Sequence, residues 1–171
     1  PLATEILSSG NALPLAQAIG AAGRTPPTET VISDSETPVN LQNAPGTFNP
    51  DVDGIDFYES IEGMLVTIDD PVAIAPTNRF GEIWAVADNG AGVTGGSPGG
   101  GLNGRGGLNI NANADGYGDL NPERIQIQID STLTPASDAV TVGDDLADVT
   151  GVVSYEFGNY QVVATEEVVI E

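Results

Sequence analysis

The residues best equipped for chemistry in this chain are acidic and amide oxygens. Asn111-Ala112-Asn113-Ala114-Asp115-Gly116-Tyr117-Gly118-Asp119 sets oxygen donors at alternate positions before a turn glycine. That is the first half of a calcium loop, since Ca²⁺ takes hard oxygen ligands around a tight turn. Asn111, Asn113, Asp115 and Asp119 are therefore candidate metal ligands, with Asp115 and Asp119 leading. The twelfth position is Pro122 and Glu123 arrives one residue late, so any such site is irregular rather than an EF-hand. A weaker echo in Asn49-Pro50-Asp51-Val52-Asp53-Gly54-Ile55-Asp56 adds Asp51 and Asp53. Ca²⁺ is the one cofactor these patterns suggest; the competing reading is Asx turns that cap their own backbone.

Other chemistries are restricted by what is missing. The chain has no histidine and no cysteine, which removes Ser-His-Asp and Cys-His nucleophilic sites, disulfides and cysteine-ligated zinc. A carboxylate pair of the glycosidase kind stays formally open through Glu59, Glu62 and Glu82, although 25 acidic residues guarantee chance pairs. Nine aromatics are present, most in or beside strand-like runs where packing is their expected role. Trp84 and Tyr160 are the first candidates for a ligand-binding face that stacks bases or sugars. The catalytic residue set is empty, and the chain alone is not expected to be an enzyme.

Charge narrows the partners. Four arginines, no lysine and 25 acids give a formal charge of −21, which repels polyanions and keeps an extracellular or salt-exposed surface soluble. Nucleic-acid binding draws on cations that displace counterions, so none is expected unless Ca²⁺ supplies the missing charge. No run of about 18 apolar residues encodes a membrane span. A start at Pro1 without a leader suggests a piece of something longer.

The elements that must position these groups are short strands. Residues 56–89 hold most of the bulky apolar side chains: Met64, Val66 and Ile68 alternate with Leu65 and Thr67, and Ile83, Ala85 and Ala87 alternate with Trp84 and Val86. Asp56 and Glu59 have capping-box spacing, which predicts a short helix over Phe57 to Glu62. Ile125-Gln126-Ile127-Gln128-Ile129 predicts a strand with isoleucines inward and a wet glutamine face. Val140 to Val142 is a candidate strand start, Asp148 to Tyr155 a strand, Phe157-Gly158-Asn159 a tight turn and Tyr160 to Ala164 its hairpin partner. The 22 glycines and 12 prolines cluster in the first third and in 90–107. The expected organisation is a Pro/Gly-rich extended segment over 1–50, packing on or leading into a β domain over 51–171, with a flexible Gly-rich loop at 90–107. The expected fold is all-β, with five to six short strands and at most one short helix, a barrel or sandwich.

The phrases DFYESIEGMLVTI, RFGEIWAVADNG, NPERIQI and VGDDLADVTGVVSYEFGNYQV, in that order, resemble a region of large secreted bacterial nucleases. In those proteins the region precedes a catalytic domain of the endonuclease/exonuclease/phosphatase superfamily. SSGNALP near the start is similar to the family's link out of a preceding OB-like module, so the resemblance runs from about Leu7 to Thr165. It implies an OB-like barrel, a secreted or cell-surface location, and neighbouring domains of the same polypeptide as partners. The family's catalytic histidines and metal-binding acids have nothing to map onto here, so the metal-dependent nuclease or phosphodiesterase activity would belong to a domain outside this chain. The expected role is a non-catalytic accessory module that supports or positions that domain. The alternative is an extracellular carbohydrate-binding, adhesion or purely structural β module.

Overall fold

A computed structural model describes residues 8–33, 48–93, 101–110, 119–134 and 139–171. The described chain is mostly β. Seven strands run in sequence order as β1 (Gln17–Ile19), β2 (Leu65–Ile68), β3 (Val72–Ala73), β4 (Glu82–Val86), β5 (Ile125–Gln128), β6 (Val149–Glu156) and β7 (Asn159–Ala164). One short helix, α1 (Gly54–Glu59), precedes β2, and a 3₁₀ turn covers Asp88–Gly90. The strands form one sheet in the order β1-β2-β6-β7-β5-β4-β3. The pairs β1–β2 and β5–β7 are parallel and the rest antiparallel.

Seven strands appear where five to six were expected, one because an extended run is broken and one because a short edge strand is added. Leu65 to Ala73 would read as a single strand, but Asp70 has a positive φ of 39° and Pro71 lacks an N–H to donate. The Asp70 N–H turns away to donate to Asp148 Oδ1 at 3.0 Å. As a result β2 pairs with β6, while β3, three residues later, pairs with β4 at the far end of the sheet. The hydrogen-bonded ladder is not closed, but Asp69-Asp70-Pro71 joins β2, next to one edge strand, to β3 at the opposite edge. The other addition, β1, is too short to stand out in a Gly/Pro-rich sequence and exists by pairing with β2 from Gln17↔Val66 to Ile19↔Ile68.

Period-two burial builds the core. Val66 and Ile68 of β2, Ile83 and Ala85 of β4, Ile125 and Ile127 of β5, Val149 and Val153 of β6, and Val162 and Ala164 of β7 all face one apolar cluster. Phe57, Tyr58 and Ile61, from α1 and the turn after it, join the same cluster. Close approach of β6 and β7 depends on Gly151, where a Cβ would meet Val163 O at 2.5 Å and Val162 Cγ1 at 2.6 Å. The β6–β7 connection is a two-residue turn, Phe157-Gly158, flanked by the Glu156↔Asn159 pair. Both residues have positive φ, 50° and 87°, as a type I′ hairpin turn demands.

Several sequence expectations shift. The helix begins three residues earlier than predicted, because Asp53 rather than Asp56 is the N-cap and its side chain makes no capping bond. The free helical N–H groups of Gly54 and Ile55 instead donate to Thr30 O and Val31 O, so the segment before the helix does the capping. Asp56 lies inside α1 and its carboxylate accepts the N–H of Asn49. Met64 precedes β2 and is exposed, unlike Val66 and Ile68. Gln126 is not on a wet face: it is buried, at a register position between Trp84 and Gln161, with its Nε2 3.5 Å from Gln161 Oε1. Val140 is buried but outside any strand. In the Gly-rich stretch, residues 101–107 form a turn organised by Asn103, whose N–H donates to Gly107 O and whose Oδ1 accepts the Arg105 N–H.

Candidate functional site

Alternation fixes which side chains leave the core. With Ile83 and Ala85 inward, Glu82 and Trp84 point outward from β4. With Ile125 and Ile127 inward, Arg124, Gln126 and Gln128 share the outer face of the neighbouring strand. Arg124 then lies over Trp84, with its guanidinium carbon 4.8 Å from the ring centroid. Its Nε donates to Asn121 O at 3.2 Å, which fixes the plane of the fork above the indole. A cation held at such a distance over an aromatic face is attracted by the ring quadrupole.

The loop before β4 builds a second cation–aromatic pair. Asn78 Oδ1 accepts the N–H groups of Phe80 and Glu82 at 2.8 and 3.1 Å, and its amide donates to Glu82 Oε2 at 2.6 Å. Gln128 Nε2 donates to Phe80 O at 3.0 Å. These bonds hold Phe80 62% exposed, with Arg79 4.5 Å from its ring centroid. Phe80 lies in the turn before β4 and Trp84 within the strand. Arg79, in the turn before β4, and Arg124, just before β5, thus each lie against an aromatic ring.

Two grooves flank this stripe. One of about 250 Å³ is lined by Trp84, Arg124, Tyr160, Tyr58, Asn121 and Gly158 among others. The other, about 740 Å³, is lined by Asn78, Arg79, Phe80, Gln128, Asp130 and Thr134 among others. Trp84 and Tyr160, the sequence candidates for ligand contact, are therefore brought together. Tyr160 stacks on Tyr58 at 6.0 Å between centroids. Partial burial, with the negative charges of Glu59 and Glu62, pushes its hydroxyl pKa up to about 12. Tyr58 is displaced upward still more strongly, first by burial and then by Glu123, and its hydroxyl donates to Arg124 O at 2.9 Å. Both phenols remain protonated donors at neutral pH.

The predicted metal ligands divide. Asn111, Asn113 and Asp115 lie outside the described residues. Asp119 is buried and accepts the Asn121 N–H at 3.2 Å. Asp51 is exposed, whereas Asp53 is buried and accepts the Ser33 hydroxyl at 2.7 Å. Among the described residues no three His, Cys, Asp or Glu side chains converge as a metal group. Glu59 and Glu62 are exposed beyond the core, and Glu82 is tied to Asn78.

Sequence reasoning missed the arginine–aromatic stripe: it singled out Trp84 and Tyr160 and expected packing for most of the aromatics. Arg79-Phe80 was visible as a dipeptide. Arg124 could be matched to Trp84 only by knowing that Trp84 registers with Gln126.

The fold and these surfaces define an all-β module with an aromatic, arginine-backed outer face. By sequence the chain belongs to the family described as "Domain of unknown function (DUF8508)", which matches residues 18–171. No curated protein and no solved structure is significantly similar to it.

Proposed function

We propose that this chain is a non-catalytic, OB-like accessory module of an extracellular nuclease- or phosphodiesterase-like protein, supporting or positioning a metal-dependent catalytic domain outside these residues. The observation that carries the reading is strand order. Counting Leu65 to Ala73 as one bent strand, the segments follow 1-2-3-5-4 and return to 1, with 3 and 5 parallel. That is the strand order of an OB barrel, a partly open Greek-key arrangement. The sequence resemblance to secreted nucleases points to the same module, and the lack of histidine leaves nothing for that family's catalytic histidines to map onto.

In an OB arrangement the face of strands 2 and 3, with the adjoining loops, is where ligands bind. Here that face is β4–β5 with Phe80, Arg79, Trp84 and Arg124, and it is the surface we assign to the neighbouring domain. Aromatics and arginines are the side chains enriched at the energetic centres of such contacts. The test is the full gene product carrying Phe80→Ala with Trp84→Ala. Phosphodiester turnover or domain docking should fall while the fold of the module, read by far-UV circular dichroism, stays intact; unchanged docking and turnover would remove the face from the reading.

A second reading, an extracellular carbohydrate-binding or adhesion module, is favoured by one observation. Phe80 stands exposed at a groove that also carries Asn78, Gln128 and Asp130, a platform and polar rim of the kind that holds sugars. Glycan-array binding lost on Phe80→Ala alone would favour it over domain docking.

A further inference from the structure

The hairpin of β6 and β7 overruns the core that its inward row helps to fill. Val153 and Val162 are buried, and the same row continues as Tyr155 and Tyr160, a directly opposed pair with ring centroids 4.9 Å apart. Tyr160 still packs against the core and stacks on Tyr58, whereas Tyr155 is 53% exposed. Beyond them the turn presents Phe157, almost wholly in water. Clustered exposed aromatics mark interaction surfaces. Phe157 also sits at a φ of 50°, where a bulky side chain is disfavoured and Asn or Gly is the usual choice for such a turn. The ring is therefore kept at the tip against local preference.

The acids around the hairpin select what can cover it. Burial, and then the charges of Glu59 and Glu62, hold the Tyr160 phenol at about 12, so both carboxylates act close to that ring. Both are exposed, as is Glu156 beside Phe157. Two further acids near these tyrosines are not presented to a partner. Asp56 is buried and accepts the Asn49 N–H, and Glu123, whose charge reaches Tyr58, is 4% exposed with neither carboxylate oxygen hydrogen-bonded. A second copy of the chain would set the same three exposed acids against these, and polyanions or acidic membranes are repelled in the same way. A positively charged protein segment is attracted, because its Lys or Arg side chains can meet both the carboxylates and the open ring faces.

We propose that the end of the β6–β7 hairpin, with Tyr155, Phe157 and Tyr160 bordered by Glu59, Glu62 and Glu156, docks a basic segment of a partner protein. Phe157 is the apolar anchor, entering between aliphatic side chains of that segment. The carboxylates pair with its cations and set its orientation. None of these residues belongs to the β4–β5 face assigned above, so the surface stands whether or not the module serves a catalytic domain.

The experiment is fluorescence anisotropy of the whole chain at physiological salt with two labelled peptides, one repeating Arg-Leu-Gly and the other Glu-Leu-Gly. The parent should bind the basic peptide and not the acidic one. Phe157→Asn, which suits the turn and keeps the charge, should weaken binding by about tenfold or more. Glu59→Gln combined with Glu62→Gln should weaken it by about fivefold or more. Glu166→Gln combined with Glu167→Gln removes the same charge past the far end of β7 and should leave affinity unchanged. The proposal is overturned if the parent ignores the basic peptide, or if Phe157→Asn binds it as the parent does. Equal weakening by the two double variants also overturns it, because binding would then follow net charge alone. A parent dimer in sedimentation that Phe157→Asn breaks would overturn it in favour of a second copy as the occupant.

Discussion

In the absence of divalent cations, Glu123 makes the protein less stable as pH rises through neutrality. Its carboxyl releases its proton near 4.5 in the unfolded chain and near 7 in the folded one. Between those values the unfolded state binds fewer protons, so stability falls with rising pH. The contribution is fully present below about pH 4.5 and gone above about 7. A displacement of about 2.5 pKa units corresponds to roughly 3 kcal/mol, of which about 2.5 kcal/mol falls between pH 5 and pH 8. Urea unfolding of the parent and of Glu123→Gln at both pH values, in chelator, isolates the term, because every other acid titrates alike in the two proteins. The parent should lose about 2 to 3 kcal/mol more than the variant on going from pH 5 to pH 8. Equal pH dependence in parent and variant would refute the claim that this carboxyl is buried without partners.

Three other outcomes follow from packing and charge. Gly151→Ala drives a methyl into the β7 backbone at Val163 and should cost about 1 to 3 kcal/mol by urea titration, whereas Gly104→Ala, with nothing within 4 Å, should leave the midpoint in place. Phe157→Asn relieves a left-handed position occupied by a bulky, 94% exposed residue and should raise stability by about 1 kcal/mol, read as a higher Tm; a lower Tm would mean that Phe157 makes a contact the turn geometry does not reveal. Fluorescence anisotropy with labelled single- and double-stranded DNA should show no binding at physiological salt in chelator. Stacking on Trp84 and Phe80 contributes roughly 1 to 3 kcal/mol per base, too little against a net charge of −21; micromolar affinity in chelator would make the β4–β5 face a DNA site.

The parts of the fold legible in the sequence are those where local pattern and tertiary context agree. Val66 and Ile68, Ile83 and Ala85, and Ile125 and Ile127 announce their inward faces by alternation, and Phe157-Gly158 announces its turn. Pairing is what alternation leaves out. Gln126 reads as solvent-facing, yet its neighbours across the ladder, Trp84 and Gln161, bury it. Asp56 has the spacing of a cap, but carbonyls at Thr30 and Val31 reach the helix first, a contact across more than 20 residues that no local motif encodes. The candidate site follows the same rule: Trp84 and Tyr160 were identifiable as aromatics, whereas the arginines behind the outer face and the partnerless Glu123 exist only once strands are in register.

The central claim, a module without catalysis of its own attached to a domain that has it, is tested most directly by phosphodiester hydrolysis. Plasmid DNA and a chromogenic phosphodiester are offered, with Mg²⁺, Mn²⁺ and Ca²⁺ in turn, to the isolated 171-residue chain, to the full gene product, and to the gene product lacking these residues. The account predicts no turnover by the isolated chain, turnover by the full product, and impaired but chemically competent turnover by the shortened one. Hydrolysis by the isolated chain that survives repurification and disappears on mutating one of its acids would contradict it, as would a full gene product that hydrolyses neither substrate.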